Sequence, residues 1–163
     1  MRKELPRQLL RELLKNSKRS DRELAKVLKV SQPTITRTRG KLEQNGLIQD
    51  YTIIPDFRKM GFEIMALTFV KMHPDVRQAE VFEKAKKESS KFPNVIFASS
   101  GEGLGMTGVI MSFHKDYTDY HKTMNLFRAD WKEYFGDIES FVVSLEEGAY
   151  KSFSLTYLKD MPL

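Results

Sequence analysis

The chain of 163 residues contains no cysteine, and its first fifty residues contain no aromatic side chain. The first absence excludes disulfides, thiolate chemistry and any metal site that needs sulfur. Long apolar runs are also missing: none approaches the ~20 residues that cross a bilayer. The apolar residues nearest the N-terminus come in pairs, Leu9-Leu10 and Leu13-Leu14, separated by charge. That reads as an amphipathic helix and not as a signal-peptide core, so a cytoplasmic protein with no membrane partner is expected. Histidine is scarce as well. His73, His114 and His121 are scattered, with no acidic residues at ligand spacing, and no metal site, catalytic residue or cofactor is expected.

What is present is unevenly distributed. Residues 1–50 hold 13 Lys and Arg against six Asp and Glu, whereas the remainder holds 14 against 16. All 18 aromatic residues lie at or beyond Tyr51. One short segment therefore accounts for the net charge of +5, and the rest contains the bulky core formers. Such asymmetry suggests a nucleic-acid-facing module joined to a neutral one.

The basic segment reads as three helices. Pro6 suits a first turn, and Leu9, Leu10, Leu13 and Leu14 recur at helical spacing up to Asn16-Ser17. Ser20-Asp21-Arg22-Glu23 is a capping box: the serine hydroxyl accepts from a free N–H and the glutamate reaches back. Leu24, Val27 and Leu28 give the second helix its apolar stripe, and Lys29-Val30 makes the turn. Ser31 caps a third helix with Pro33 in its first turn, and Gly46 is placed for a left-handed stop. Leu47–Ile54 is rich in β-branched and aromatic residues and reads as a strand, a wing beside the helices.

The division expected is residues 1–55 for the helical module, 56–61 for a linker and 62–163 for a second domain. The second pattern is strand, helix, strand, strand, helix, strand. Strands are read over Phe62–Met72, Asn94–Ser100, Thr107–Phe113 and Ile138–Leu145. Asp75–Lys91 is a helix with Val76, Ala79, Phe82 and Ala85 on one side. Asp116–Phe135 is a helix with Tyr117, Tyr120, Met124, Phe127 and Trp131 at spacings of three and four. Phe153–Leu158 is a short fifth strand or a tail. The order is that of a split β-α-β, ferredoxin-like α+β domain, an antiparallel sheet with two helices on one face. In Ile64–Val70 both alternating sets of side chains are largely apolar. Two helices cover only one face of a sheet, so the other is expected to pack against a second copy of the chain across a two-fold axis.

A recognition helix presents short polar groups and arginines near its N-terminus, the end that enters the major groove. Gln32, Thr34, Thr36 and Arg37 are of that kind: Gln matches adenine edges, Arg guanine, and Thr a phosphate or a thymine methyl. Arg39 and Lys41 are better placed for the backbone, as are Arg22 and Lys26 on the second helix. A solvated basic face on an ordinary three-helix bundle is the plainer reading. One break in the pattern stands out: Thr38 and Arg39 occupy positions after Ile35 that should face the core. Arg39 is expected to bury its stem and reach a phosphate with its head.

The stretches Ser20–Leu28, Val30–Arg37 and Leu42–Thr52, followed by the six-element second domain, make the whole chain resemble the Lrp/AsnC family of "feast/famine" transcriptional regulators. The resemblance implies a winged helix-turn-helix and an effector-binding, oligomerising domain. It also implies double-stranded DNA as partner, with dimers pairing through their sheets and often building an octamer. It further implies a small-molecule effector such as an amino acid, held near the loop Gly101, Glu102, Gly103, Leu104 and Gly105. In the family an aspartate supplies a carboxylate where Leu104 stands, and Glu102 is the nearest carboxylate in this chain. Physically, three glycines in five residues either offer N–H groups to an anion or make a flexible hairpin loop.

Two other readings share the scaffold. One is an enzyme resembling the sirohaem decarboxylases, although no run here looks like their active-site segment. The other is an architectural protein coating DNA with little sequence preference.

Overall fold

The computed structural model describes residues 4–161. They form two compact units. One is the stretch to Ile54 together with the C-terminal stretch from Lys151; the other is Pro55–Tyr150.

In the first unit α1 (Leu5–Lys15), α2 (Asp21–Leu28) and α3 (Gln32–Gln44) close around Leu9, Leu13, Leu24, Ala25, Ile35 and Leu42. The ends form as their sequences dictate. Ser20 Oγ accepts the Glu23 N–H at 3.3 Å while Glu23 Oε2 accepts the Ser20 N–H at 2.7 Å, a complete capping box. Lys29 and Gly46 stop α2 and α3 in the left-handed region, with φ of 55° and 70°. Glu12, buried on α1, accepts from Lys15 and from Arg19 in the following turn, and these bonds hold its carboxyl below the ordinary range against the cost of burial.

The expected wing strand fails here, and of the two readings of Phe153–Leu158, a short fifth strand or a tail, the strand falls. Leu47–Ile54 forms no strand among the described residues. A strand needs a neighbour to complete its ladder, and none of the described residues runs beside it. Residues 153–158 are neither a strand nor part of the second unit. Ser154 caps a 3-10 helix, Leu155–Asp160, and Thr156 Oγ1 donates to the Leu14 carbonyl at 3.0 Å. Leu14 is one of the last residues of α1, whose carbonyls lack helical partners.

The second unit is a four-stranded antiparallel sheet of order β2-β3-β1-β4, made by β1 (Ile64–Met72), β2 (Val95–Gly103), β3 (Met106–His114) and β4 (Phe135–Ser144). Helices α4 (Gln78–Glu88) and α5 (Tyr117–Trp131) complete the ferredoxin-like arrangement. The core joins Ala66 and Val70 of the sheet to Tyr120, Met124, Phe127 and Trp131 of α5, with Phe92 and Phe135. Asp116 caps α5, its Oδ1 accepting the Asp119 N–H at 2.7 Å. The stretch 56–61, expected as a linker, is a folded turn of this unit. Asp56 Oδ1 accepts the Lys59 N–H at 3.2 Å, and the Phe57 ring stacks on Phe113 at 4.1 Å.

The expected face of α4 is not the one turned inward. Phe82 is 66% exposed and Ala79 and Ala85 are also exposed, while Val81, Lys84 and Glu88 are partly buried. Lys84 sets this rotation: its Nζ stands 5.2 Å from the Trp131 ring centre and 5.1 Å from that of Tyr134, so a cation over aromatic faces replaces an apolar stripe.

Candidate nucleic-acid interface

Capping fixes the entry of α3: the Ser31 hydroxyl accepts the Thr34 N–H at 3.4 Å and pairs with the Thr34 hydroxyl at 2.8 Å. Gln32 and Arg37 lie exposed beyond that cap, with Lys41 one turn further on. On α2, Arg22 and Lys26 are exposed four residues apart and so share one side of the helix. These five head groups form the exposed basic and amide-bearing part of the expected set.

The other three are engaged within the protein. Thr34 is half-buried and tied to Ser31. Thr36 Oγ1 donates to Asp21 Oδ2 at 2.6 Å. Arg39 does not extend toward a phosphate. Its Nε and Nη2 donate to Asp21 Oδ1 at 2.8 and 2.7 Å, Nη2 also reaches the Arg19 carbonyl at 3.4 Å, and Nη1 reaches the Tyr51 hydroxyl at 3.4 Å. The Arg39 and Asp21 side chains are only 18% and 20% exposed. Tyr51 in turn donates to Glu43 Oε1 at 2.7 Å.

The Asp21 carboxylate therefore binds two residues of α3, one on each oxygen, and Arg39 joins α2 and α3 to Tyr51. Burial works against the Arg39 charge, but the bonds to Tyr51 and Asp21 prevail and raise its pKa above the ordinary value. Burial and the bond to Glu43 raise the Tyr51 hydroxyl, outweighing Arg39. Asp21, Tyr51 and Glu43 were missed as members of this site. The signal was available in the displaced Arg39, since a guanidinium in an apolar row needs an anion, and Asp21 opens the neighbouring helix.

The expected effector loop is tighter than a five-residue loop. Strand β2 runs through Gly103, β3 starts at Met106, and Gly103 pairs with Met106. Only Leu104 and Gly105 turn, both with positive φ, 52° and 73°, the pattern of a type I′ hairpin. Gly101, Glu102 and Gly103 belong to the strand, with the pairing register shifting between Ser100 and Gly103. The turn closes the ladder and draws these residues into it. All five remain exposed.

The histidines have structural surroundings. His114 is fully buried, its Nε2 2.9 Å from Ser112 Oγ and its Nδ1 3.2 Å from Asn94 Nδ2. His73 Nε2 lies 3.2 Å from the Lys132 carbonyl, and His121 is exposed with its ring edge-on to Tyr117.

A family model described as winged helix-turn-helix DNA-binding matches residues 2–49. An uncharacterised HTH-type transcriptional regulator of Pyrococcus horikoshii is 31% identical over 123 residues, 74% of this chain and 78% of that protein. Its crystal structure superposes with a TM-score of 0.75 at 26% identity, over 91% of this chain and 94% of the other. The HTH-type transcriptional regulator LrpA of Pyrococcus abyssi is 29% identical over 108 residues, 66% of this chain and 74% of that protein. A Neisseria meningitidis transcriptional regulator, solved as a complex with L-Met, shares the fold with a TM-score of 0.73 at 19% identity, over 94% of this chain and 96% of the other.

Proposed function

The chain belongs to the Lrp/AsnC family of helix-turn-helix transcriptional regulators, and from that premise we propose how it engages its operator. It is a sequence-specific DNA-binding regulator whose α3 enters the major groove, with Gln32 and Arg37 reading base edges. Lys41, Arg22 and Lys26 contact the phosphates that flank the groove. The observation that carries this reading is the exposed set of these five head groups on two adjoining helices, with Thr34, Thr36 and Arg39 turned to internal bonds. Arg39 acts as a positioning residue, holding α3 against α2.

The functional unit is a homodimer formed through the open face of the sheet. Met65, Leu67 and Phe69 of β1 share that face with Met111 of β3 and Phe141 of β4 by strand register. Phe141 is 65% exposed, an apolar patch that soluble monomers seldom leave uncovered. The two-fold axis then sets the spacing of the two half-sites. A small-molecule effector acts at the exposed hairpin from Gly101 to Gly105, Glu102 supplying its carboxylate. The L-Met held by the Neisseria regulator is of the class this reading favours.

Selection of bound duplexes from fragmented genomic DNA at ~150 mM salt, where non-specific phosphate contacts are weakened, tests the regulator. A short pseudo-palindrome is expected to enrich, and Arg37→Ala to weaken binding by about 1–3 kcal/mol on that site and little on random duplex. Uniform recovery of all fragments points to the architectural alternative, and no recovery rejects the reading.

A further inference from the structure

In the first unit the C-terminal 3-10 helix meets α1 and the end of α2 around an open pocket of about 540 Å³. Four of the side chains that line it are cationic: Arg11 and Lys15 of α1, Lys29 at the end of α2, and Lys159 of the 3-10 helix. The carboxylates on the lining are Glu12 and Asp160. Arg11 and Lys15 are four residues apart and share one side of α1. In a 3-10 helix residues three apart eclipse, so Lys159 lies on the same side as Thr156, which bonds to the Leu14 carbonyl. The contact that returns the chain to α1 therefore brings a lysine to a side of α1 that already carries two cations.

This positive charge is not balanced from within. Glu12 is already paired with Lys15 and Arg19. Among the described residues Arg11, Lys29 and Lys159 form no ion pair. Arg11 Nη2 reaches only the Met161 carbonyl, at 3.5 Å, and Lys159 is half-buried. Like charges gathered from both ends of a chain repel one another unless an anion sits among them. Lys29 adds an independent sign. It holds a left-handed backbone, φ 55°, that glycine adopts more cheaply, so a charged side chain is kept where its absence would ease the fold.

We infer that this pocket receives a phosphate of the DNA backbone, so that the end of the chain takes part in operator binding. The inference rests on the DNA-binding reading above. Continuity favours DNA over a free anion. Lys29 follows Lys26 by three residues, and Lys26 and Arg22 form the side of α2 assigned there to phosphates. The pocket joins that row to α1 and to the C-terminal helix. Phosphate oxygens accept bonds from ammonium and guanidinium groups alike, and such a contact adds affinity without reading a base.

Binding of the full chain to a random-sequence duplex, measured from ~50 to ~300 mM salt, tests this. The double variant Lys29→Gly with Lys159→Gln is expected to make the slope of log K against log salt shallower by about 0.9, the share of one phosphate. At ~150 mM salt that slope corresponds to binding about fivefold weaker. The loss is expected to be equal on a selected operator, unlike that of Arg37→Ala. Lys29→Gly alone is expected to keep or raise the urea midpoint, since glycine takes the left-handed stop freely, so lost affinity is not lost fold. An unchanged slope in a variant that still binds duplex overturns the proposal and leaves the reading of α2 and α3 intact. A loss confined to the operator overturns it too. Inorganic pyrophosphate at fixed ionic strength supplies the other source of the same chemistry. If it raises the melting temperature of the wild type but not of the double variant, and the slope is unchanged, the pocket holds a free anion and the DNA contact is overturned. A wild type that binds no duplex rejects the operator reading and this one with it.

Discussion

Arg39 and Arg37 are two residues apart on one helix and do different work because of what surrounds each. Arg37 is exposed, whereas Arg39 is held by Asp21, the Arg19 carbonyl and Tyr51. Arg39→Ala leaves a largely buried carboxylate and a tyrosine hydroxyl short of partners, so it is expected to destabilise the first unit by about 1–3 kcal/mol. Urea unfolding followed by circular dichroism checks this, and an unchanged midpoint would reject the clamp. His114 makes a second residue-scale case. Burial lowers its pKa from the ordinary 6.5, Asp119 opposing only in part. The unfolded chain therefore takes up the proton first as pH falls. Stability linked to His114 is full above about pH 6.5 and declines as pH falls below it. Comparison of urea midpoints at pH 7.5 and 5.5 in wild type and His114→Asn is expected to show a fall in the wild type that the variant lacks.

Among the elements, the β2–β3 hairpin contains a strained residue in plain view. Leu104 sits at φ 52° and is 86% exposed, so it bears the left-handed penalty and buries almost nothing in return. Leu104→Asn converts the turn to Asn-Gly, the pair this hairpin geometry favours, and is expected to raise stability by about 1 kcal/mol. Thermal denaturation monitored at the sheet's dichroism band is the check, and no gain would show that the turn relaxes around the leucine. Legibility differed by element. The capping box, the Ser31 cap and the Gly46 stop are interactions within a few residues, and the sequence displays them directly. The inward side of α4 is not local. A helical wheel favours Phe82 and Ala85, but the rotation is set by Lys84 over the rings of Trp131 and Tyr134, nearly fifty residues away. The missing wing strand has the same cause, because a β-rich segment is a strand only where another chain segment completes its ladder. Arg39 was recognisable as out of place, but its destination, Asp21, depended on how two helices lie together.

For the whole molecule, the two-sided apolar pattern of β1 was the most informative long-range signal in the sequence. The structure gives that pattern two faces, one packed on α5 and one open apart from the Phe57 turn over Phe113. Phe141→Asp places a charge in the middle of the open face. On the dimer proposed above, it is expected to raise the dissociation constant on the order of a hundredfold, as removal of central interface aromatics does. Sedimentation equilibrium distinguishes this from a variant that leaves association unchanged, which would overturn the proposed dimer contact. The domain division was the least legible feature at this scale, because residues 151–161 look like the end of the second domain and instead cap α1.

That return has a bearing on how the protein can be taken apart. In chain order the ferredoxin-like unit is an insertion into the helical one, so the DNA-binding half has no single end point. A fragment cut near residue 55 strips the Leu14 carbonyl of Thr156 and leaves behind part of what it was meant to isolate. The module that transplants as a piece is the inserted one, Pro55–Tyr150, and a chimera that exchanges it keeps both ends of the host intact.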